Sequence, residues 1–171
     1  LYSTGPSQTG VLISSGNIDS MVAHYTVAKK RRHDDAYSPG NRAGLRPDHA
    51  VVVYANRVRE VFRDIPVIIG GLEASLRRFA HYDYWDDKVR RGVLFDSQAD
   101  LLVYGMGERA TKEIAARLAS GTPVSDIRDV KGTAYIAKGP AECVYPKVEV
   151  ASYEAVCADK RSYAEANMAE Y

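Results

Sequence analysis

The stretch Pro-Val-Ile-Ile-Gly-Gly-Leu-Glu-Ala-Ser-Leu-Arg-Arg-Phe-Ala-His-Tyr-Asp-Tyr-Trp, residues 66–85, decides the fold. Val67, Ile68 and Ile69 form an apolar run without polar alternation, the pattern of a strand buried on both faces of a parallel sheet. Gly70-Gly71 ends the run, and Leu72 to Arg78 reads as at least one helical turn. A buried strand passing through paired glycines into a helix presents bare backbone N–H groups at the carboxyl edge of a sheet. In open α/β sheets ligands bind at that edge. Glu73, Ser75, Arg77 and Arg78 follow within two turns and bring polar side chains to the same place. The competing reading is a tight strand–helix turn followed by a solvated polar helix, since Gly-Gly after a strand is a weak signal.

Upstream, Val11-Leu12-Ile13-Ser14-Ser15 reads as a short strand closed by Gly16, after a polar lead-in over residues 1–10. Asn17 or Asp19 then caps a helix carrying Met21, Val22, Tyr25 and Val27. Lys29 to Asp35 is a charge run that changes sign, read as a solvated face, and Ser38 to Pro47 is loop. Asp48 is a candidate N-cap for a helix whose Val51, Ala55, Val58 and Phe62 share one face.

Downstream, His81 to Arg91 is dense in imidazole, aromatic, carboxylate and cationic groups. Either it is an irregular surface segment with local charge pairing or it lines a site. Val93-Leu94-Phe95 is a short apolar run. Asp100 to Tyr104 is a firmer strand ending at Gly105-Met106-Gly107-Glu108, and the helix after it stops at Gly121 with Pro123 beyond. Gly-x-Gly at a strand–helix junction offers N–H groups to an anion or carbonyl. The third glycine of a dinucleotide fingerprint is missing, so a nicotinamide cofactor is not supported. Thr133 to Ile136 is a last strand, and Ser152 caps a final helix running to the end. Strand–helix alternation with connections of βα length predicts an α/β fold with a doubly wound, mainly parallel sheet of four or five strands.

Composition narrows the function classes. Net charge is +1 and 26% of residues are charged, which weighs against nucleic-acid binding by Lys29–Arg32 and the basic pairs at 77–78 and 90–91. No apolar run approaches bilayer length and no signal-peptide pattern opens the chain, so a cytoplasmic protein without membrane contact is expected. The chain starts at Leu1, as a piece of a longer one would. Its two cysteines, Cys143 and Cys157, have no partner pattern, which points to a reducing compartment and to no self-contained metal site. Twelve tyrosines against three phenylalanines favour half-buried surfaces.

Gly-Gly-Leu-Glu-Ala-Ser-Leu-Arg-Arg (70–78), Ala-His-Tyr-Asp-Tyr-Trp (80–85), Asp-Lys-Val-Arg-Arg (87–91), Asp-Leu-Leu-Val-Tyr-Gly (100–105), Gly-Asn-Ile-Asp-Ser-Met-Val-Ala-His-Tyr-Thr (16–26) and Asp-Asp-Ala-Tyr-Ser-Pro-Gly (34–40) are long, specific strings. Through them the chain resembles the YgiQ (UPF0313) family of radical S-adenosylmethionine proteins, in the region ahead of the radical domain. The wider pattern, a strand ending Gly-Gly and a later strand ending Gly-x-Gly-Glu, is similar to the cobalamin-binding type of domain. The resemblance implies a flavodoxin-like fold over 11–140, with 141–171 a connection and helix leading to the radical domain. It implies a ligand-facing edge built from Asn17, Asp19, Ser20, Gly70, Gly71, Glu73, Ser75, Arg77, Arg78, His81, Tyr82, Asp83, Gly105, Gly107 and Glu108. It also implies a [4Fe–4S] cluster and S-adenosylmethionine in the full-length protein only, with the radical domain of the same chain as partner.

Two departures qualify this. The Cys-x-x-x-Cys-x-x-Cys triplet that such a cluster needs is absent from the 171 residues, so no catalytic residue and no metal ligand is expected among them. Where cobalamin enzymes carry Asp-x-His-x-x-Gly, this chain reads Asp19-Ser20-Met21-Val22-Ala23-His24. Cobalamin held by a histidine is therefore not supported, and binding without that ligand stays open. Two roles follow: an accessory domain that covers the radical site and holds cobalamin or part of the substrate, or a structural docking module with no ligand of its own.

Overall fold

The computed structural model describes residues 9–140 and 144–170. Its centre is a four-stranded sheet in the order β1 (Val11–Ile13), β2 (Val67–Ile69), β5 (Leu101–Val103), β6 (Thr133–Ala134). The first three strands are parallel, and β6 runs antiparallel to β5. The sheet is thus mostly parallel and flanked by helices, an arrangement consistent with a flavodoxin-like fold. All residues of β2 and β5 are buried, as their unbroken apolar runs predict.

Register decides which side chain meets which helix. Ile13, Ile69 and Leu102 stand side by side and point to one face. There they pack under α2 (Ala50–Val61) and α4 (Val93–Ser97) through Val51, Ala55, Val58, Val93 and Leu94. Leu12, Ile68 and Leu101 are likewise neighbours and point to the other face, where α5 (Glu108–Ala119) covers Ile68 and Leu101 with Ala110 and Ile114. Fully burying side chains of this size is worth about 1.5–3 kcal/mol each. The two layers hold the strand ends, and hence the turns after them, in place.

Several local expectations are corrected. The helix after Asp19 is short: α1 spans Ser20–His24, and Tyr25 is already extended, so Tyr25 and Val27 lie outside it. Asp19 is its cap, accepting from the N–H groups of Met21 and Val22, whereas Asn17 is exposed beside it. Asp48 does not cap α2. His49 occupies that position in a left-handed conformation, and Asp48 instead binds His24 Nδ1 and the Tyr25 hydroxyl. The apolar run Val93–Phe95, which carried no assignment, lies in helix α4.

The segment His81–Arg91 is ordered as a hairpin, β3 (His81–Asp83) with β4 (Lys88–Arg90), and not an irregular surface piece. The terminal helix is two helices, α6 (Tyr153–Ala158) and α7 (Lys160–Ala169). They part at Asp159, whose extended backbone ends the first and whose carboxylate caps the second. Both fold back on the hairpin: Tyr153 donates to the Val89 carbonyl, and Tyr163 accepts from the Tyr82 N–H. The start of the lead-in and Cys143 lie outside the described residues.

Candidate functional site

The turns after β1, β2 and β5 lie side by side along the carboxyl edge of the sheet. A Cβ on Gly71 would come within 3.1 Å of the Ser14 Cβ and 3.8 Å of the Gly16 carbonyl, and the Gly105 N–H donates to the Ser75 hydroxyl at 3.3 Å. Glycine is required at Gly71 on two counts, because its φ is +82° as well. Gly107 is held by contact alone: a Cβ there would sit 2.7 Å from a Val103 methyl. The absence of these Cβ atoms leaves a groove of about 550 Å³, lined by Ser14, Gly70, Gly71, Gly105, Gly107 and Glu108, with Thr111 and Lys112 from the next turn of α5.

The polar residues after Gly71 divide sharply. Glu73 is 1% exposed, and its carboxylate is fully engaged within the fold. One oxygen accepts from the Ser20 N–H at 2.9 Å and the other from the Val51 N–H at 3.1 Å, so one side chain ties the start of α1 to the start of α2. Ser20 completes the joint by accepting from the Ala50 N–H. Negative charge is favoured at this place because the unpaired N–H groups of a helix N-terminus point toward it. Asp19 caps α1 with one oxygen and pairs with Arg77 through the other. Ser75 donates to the Gly71 carbonyl. Arg78 reaches the other way, to the Glu170 carbonyl and carboxylate at the end of α7, and lies over the Phe79 and Tyr104 rings. Burial raises the Glu170 carboxyl above its ordinary range, with Arg78 opposing.

The hairpin residues do not line the groove. Tyr82 donates to Asp87, and Asp83 holds the hairpin turn by accepting from the Trp85 and Asp86 N–H groups. His81 faces a separate cavity of about 300 Å³ with Asp48, His49, Arg77, Arg90 and Asp96. Burial pushes the His81 imidazole below its usual range, and its Nδ1 binds the Phe79 carbonyl.

Nearby, Asp35 is buried against Arg46 and Ser38; the Arg46 hydrogen bond, opposed by burial, holds its carboxyl at about 2. This pair anchors the loop after the charge run, and Arg46 also donates to the Ser15 carbonyl at the end of β1. The residues Lys29–Arg32 are exposed; Lys29 lies over the Tyr84 ring and donates to the Trp85 carbonyl.

Of the expected edge residues, then, Gly70, Gly71, Gly105, Gly107 and Glu108 line the groove. Asp19, Ser20, Glu73, Ser75 and Arg77 form the joint beneath and beside it, and Arg78, His81, Tyr82 and Asp83 sit elsewhere. The sequence reading missed Ser14, Thr111 and Lys112. The last two were findable, standing one turn into the helix after Gly-x-Gly-Glu, where side chains point back over the helix N-terminus.

Among the described residues no group of three or more histidine, cysteine, aspartate or glutamate side chains could hold a metal ion, and Cys157 is exposed on α6. No histidine lines the groove: His24 is buried with its Nδ1 2.7 Å from Asp48, and Met21 is packed in the interior. The donor set fits neither an iron–sulfur cluster nor a histidine-ligated cobalt. No helix of the described residues is long and apolar enough to cross a membrane.

A family model described as "Radical SAM N-terminal" matches residues 2–171. A UPF0313 protein of Clostridium botulinum (strain ATCC 19397 / Type A) is 54% identical over 167 residues, covering 98% of this chain and 26% of the relative. A UPF0313 protein of Geobacter sulfurreducens is 58% identical over 154 residues, covering 90% of this chain and 26% of its own length. One from Methanocella arvoryzae is 53% identical over 154 residues, with the same coverage on both sides. The chain thus spans about a quarter of the length of these relatives. No solved structure matches it. With a family model over nearly its whole length and relatives more than half identical to it, this chain belongs to the radical SAM N-terminal family and is an N-terminal domain of a longer UPF0313 protein.

Proposed function

We propose that the chain is an accessory domain that covers the active site of a radical S-adenosylmethionine enzyme, with its carboxyl-edge groove turned toward that site and receiving part of the substrate. On this reading the [4Fe–4S] cluster and S-adenosylmethionine are held by the remaining three-quarters of the polypeptide, in the cytoplasm, because the donors here fit neither. When bound, that pair supplies the radical chemistry; the residues of this domain orient a bound group and keep water from it.

The observation that carries the reading is the exposed apolar side chains on the two glycine turns and the helix that follow β2 and β5. Leu72 and Leu76, a helical turn apart on α3 (Gly71–Leu76), are 46% and 50% exposed, and Met106, between the two glycines, is 90% exposed. Large apolar side chains left together beside a glycine-lined groove mark a surface that another part of the protein covers. Glu108, Thr111 and Lys112 give the groove one acid, one hydroxyl and one cation for a polar substrate group. The buried joint of Glu73, Asp19 and Arg77 favours a rigid platform, which serves covering as well as it serves docking without a ligand.

A photo-cross-linking residue in place of Met106, introduced into the full-length protein, tests the docking. Links from position 106 to the segment carrying the three-cysteine motif are expected. A protein that cross-links only to solvent or to its own α5 would refute the arrangement.

A further inference from the structure

One register row contains a discontinuity. Ile68 and Leu101 are 2% and 0% exposed under α5, yet Leu12, their neighbour on the same face, is 57% exposed. On the opposite face the equivalent position of β1, Ile13, is 9% exposed. A parallel strand is normally covered on both faces, so β1 is covered on one face only. The uncovered strip continues into a small cavity between Leu12 and α5, lined by Gly10, Ile68, Ile114, Ala115 and Leu118.

Among the described residues no strand pairs with the outer edge of β1. Val11 donates to the Pro66 carbonyl and Ile13 accepts from the Gly70 N–H, so the alternation of a parallel ladder turns the Leu12 N–H and carbonyl away from β2. Open edges of this kind pair with another strand.

Handedness says what fits. The connections β1 to β2 and β2 to β5 step across the sheet in one direction, and their helices α2 and α4 lie on one face, as right-handed crossovers require. A right-handed strand–helix–strand unit stepping outward from β1, in the opposite direction, places its helix on the other face. That is the face of α5, directly over Leu12. A single unit therefore satisfies the open edge and the bare strip together.

We infer that the sheet is completed beyond β1 by a strand–helix–strand unit of the same polypeptide, outside residues 1–171, whose first strand pairs with β1 and whose helix packs beside α5 on Leu12. The relatives have about three-quarters of their length outside the matched region, which is ample for such a unit. The completed sheet has a reversal of strand order at β1. Its switch-point crevice then opens between the added first strand and β1, beside the turn after β1, and such reversals are where α/β sheets bind ligands. Leu12 also lines one end of the carboxyl-edge groove, but this inference rests on the register, the edge and the handedness of β1 and not on the docking proposed above.

The test uses the full-length protein. Leu12→Asp should lower the unfolding midpoint by about 5 °C or more, as a charge placed in a packed interface does, while Val27→Asp, at an 84% exposed position, should leave it unchanged. A photo-cross-linker at position 12 should link within one chain to a segment outside residues 1–171 and away from the three-cysteine motif, and the Leu12 amide should exchange at least ~100-fold more slowly than an open chain, as ladder amides do. Should Leu12→Asp fail to fold, the cross-link and the exchange rate of the parent protein still decide. An unchanged midpoint, links only between chains or to the cluster-binding segment, or exchange at the open-chain rate would each overturn the inference.

Discussion

The turn after β2 and the turn after β5 look alike in sequence: a buried apolar strand, two closely spaced glycines, an acid, then a helix. In the fold they do opposite things. After β2, Glu73 is 1% exposed and satisfies the starts of α1 and α2, while Asp19 and Arg77 pair beside it. After β5, Glu108 is exposed at the groove with Thr111 and Lys112. The same local pattern serves as a structural joint in one place and leaves its groups available in the other. The difference is position in the sheet. β2 lies beside β1, whose following helices α1 and α2 have N-terminal N–H groups for Glu73 to satisfy, whereas the helix after β5 starts at the rim.

This contrast is open to attack at three levels. The largest effect is expected at Glu73. Glu73→Ala removes two buried hydrogen bonds to a carboxylate and leaves two N–H groups without partners, so a loss of about 3–6 kcal/mol in unfolding free energy is expected, at about 1.5–3 kcal/mol per charged bond. Chemical denaturation measures it, and a loss under ~1 kcal/mol would show that the joint is dispensable.

An intermediate effect separates the glycines. Gly71→Ala forces a side chain into a left-handed backbone against Ser14, and should cost about 2–3 kcal/mol. Gly105 has a φ of +67° but open space around it, so Gly105→Ala should cost only the conformational term of about 1–2 kcal/mol. Equal costs in the same denaturation experiment would erase the distinction.

The smallest effect on stability is expected at the groove. Glu108→Gln should shift unfolding by no more than ~0.5 kcal/mol, while lowering turnover in the full-length protein, read as product formed per S-adenosylmethionine cleaved. A large stability loss with unchanged turnover would make Glu108 structural, like Glu73.

Much of the architecture was legible because it rests on period and punctuation. Val67–Ile69 and Leu101–Val103 stand out as unbroken apolar runs, and both are central strands. The helices Ala50–Val61 and Glu108–Ala119 carry long one-sided apolar patterns, and Gly121 with a φ of +87° follows the second where its stop was expected. What escaped was short or ended without glycine or proline. The strands of the hairpin have three residues each, and their turn is held by the Asp83 side chain rather than by a turn dipeptide. The break between α6 and α7 falls at Asp159, in a stretch whose composition is helical throughout.

By itself, then, the order of residues determined the α/β class, the two buried strands, the glycine turns that follow them and the family, because each is written in local period, backbone permissiveness or a contiguous string. Only the tertiary structure decided which acid is free. Glu73 is anchored by the N–H of Val51, far back in the chain, and Asp48 is drawn from its helix to His24 and Tyr25. It alone showed that Leu12, as apolar as its register partners Ile68 and Leu101, stands uncovered. A side chain's residue type states what it can bond or bury, but its partner is set by which distant backbone the fold carries to it.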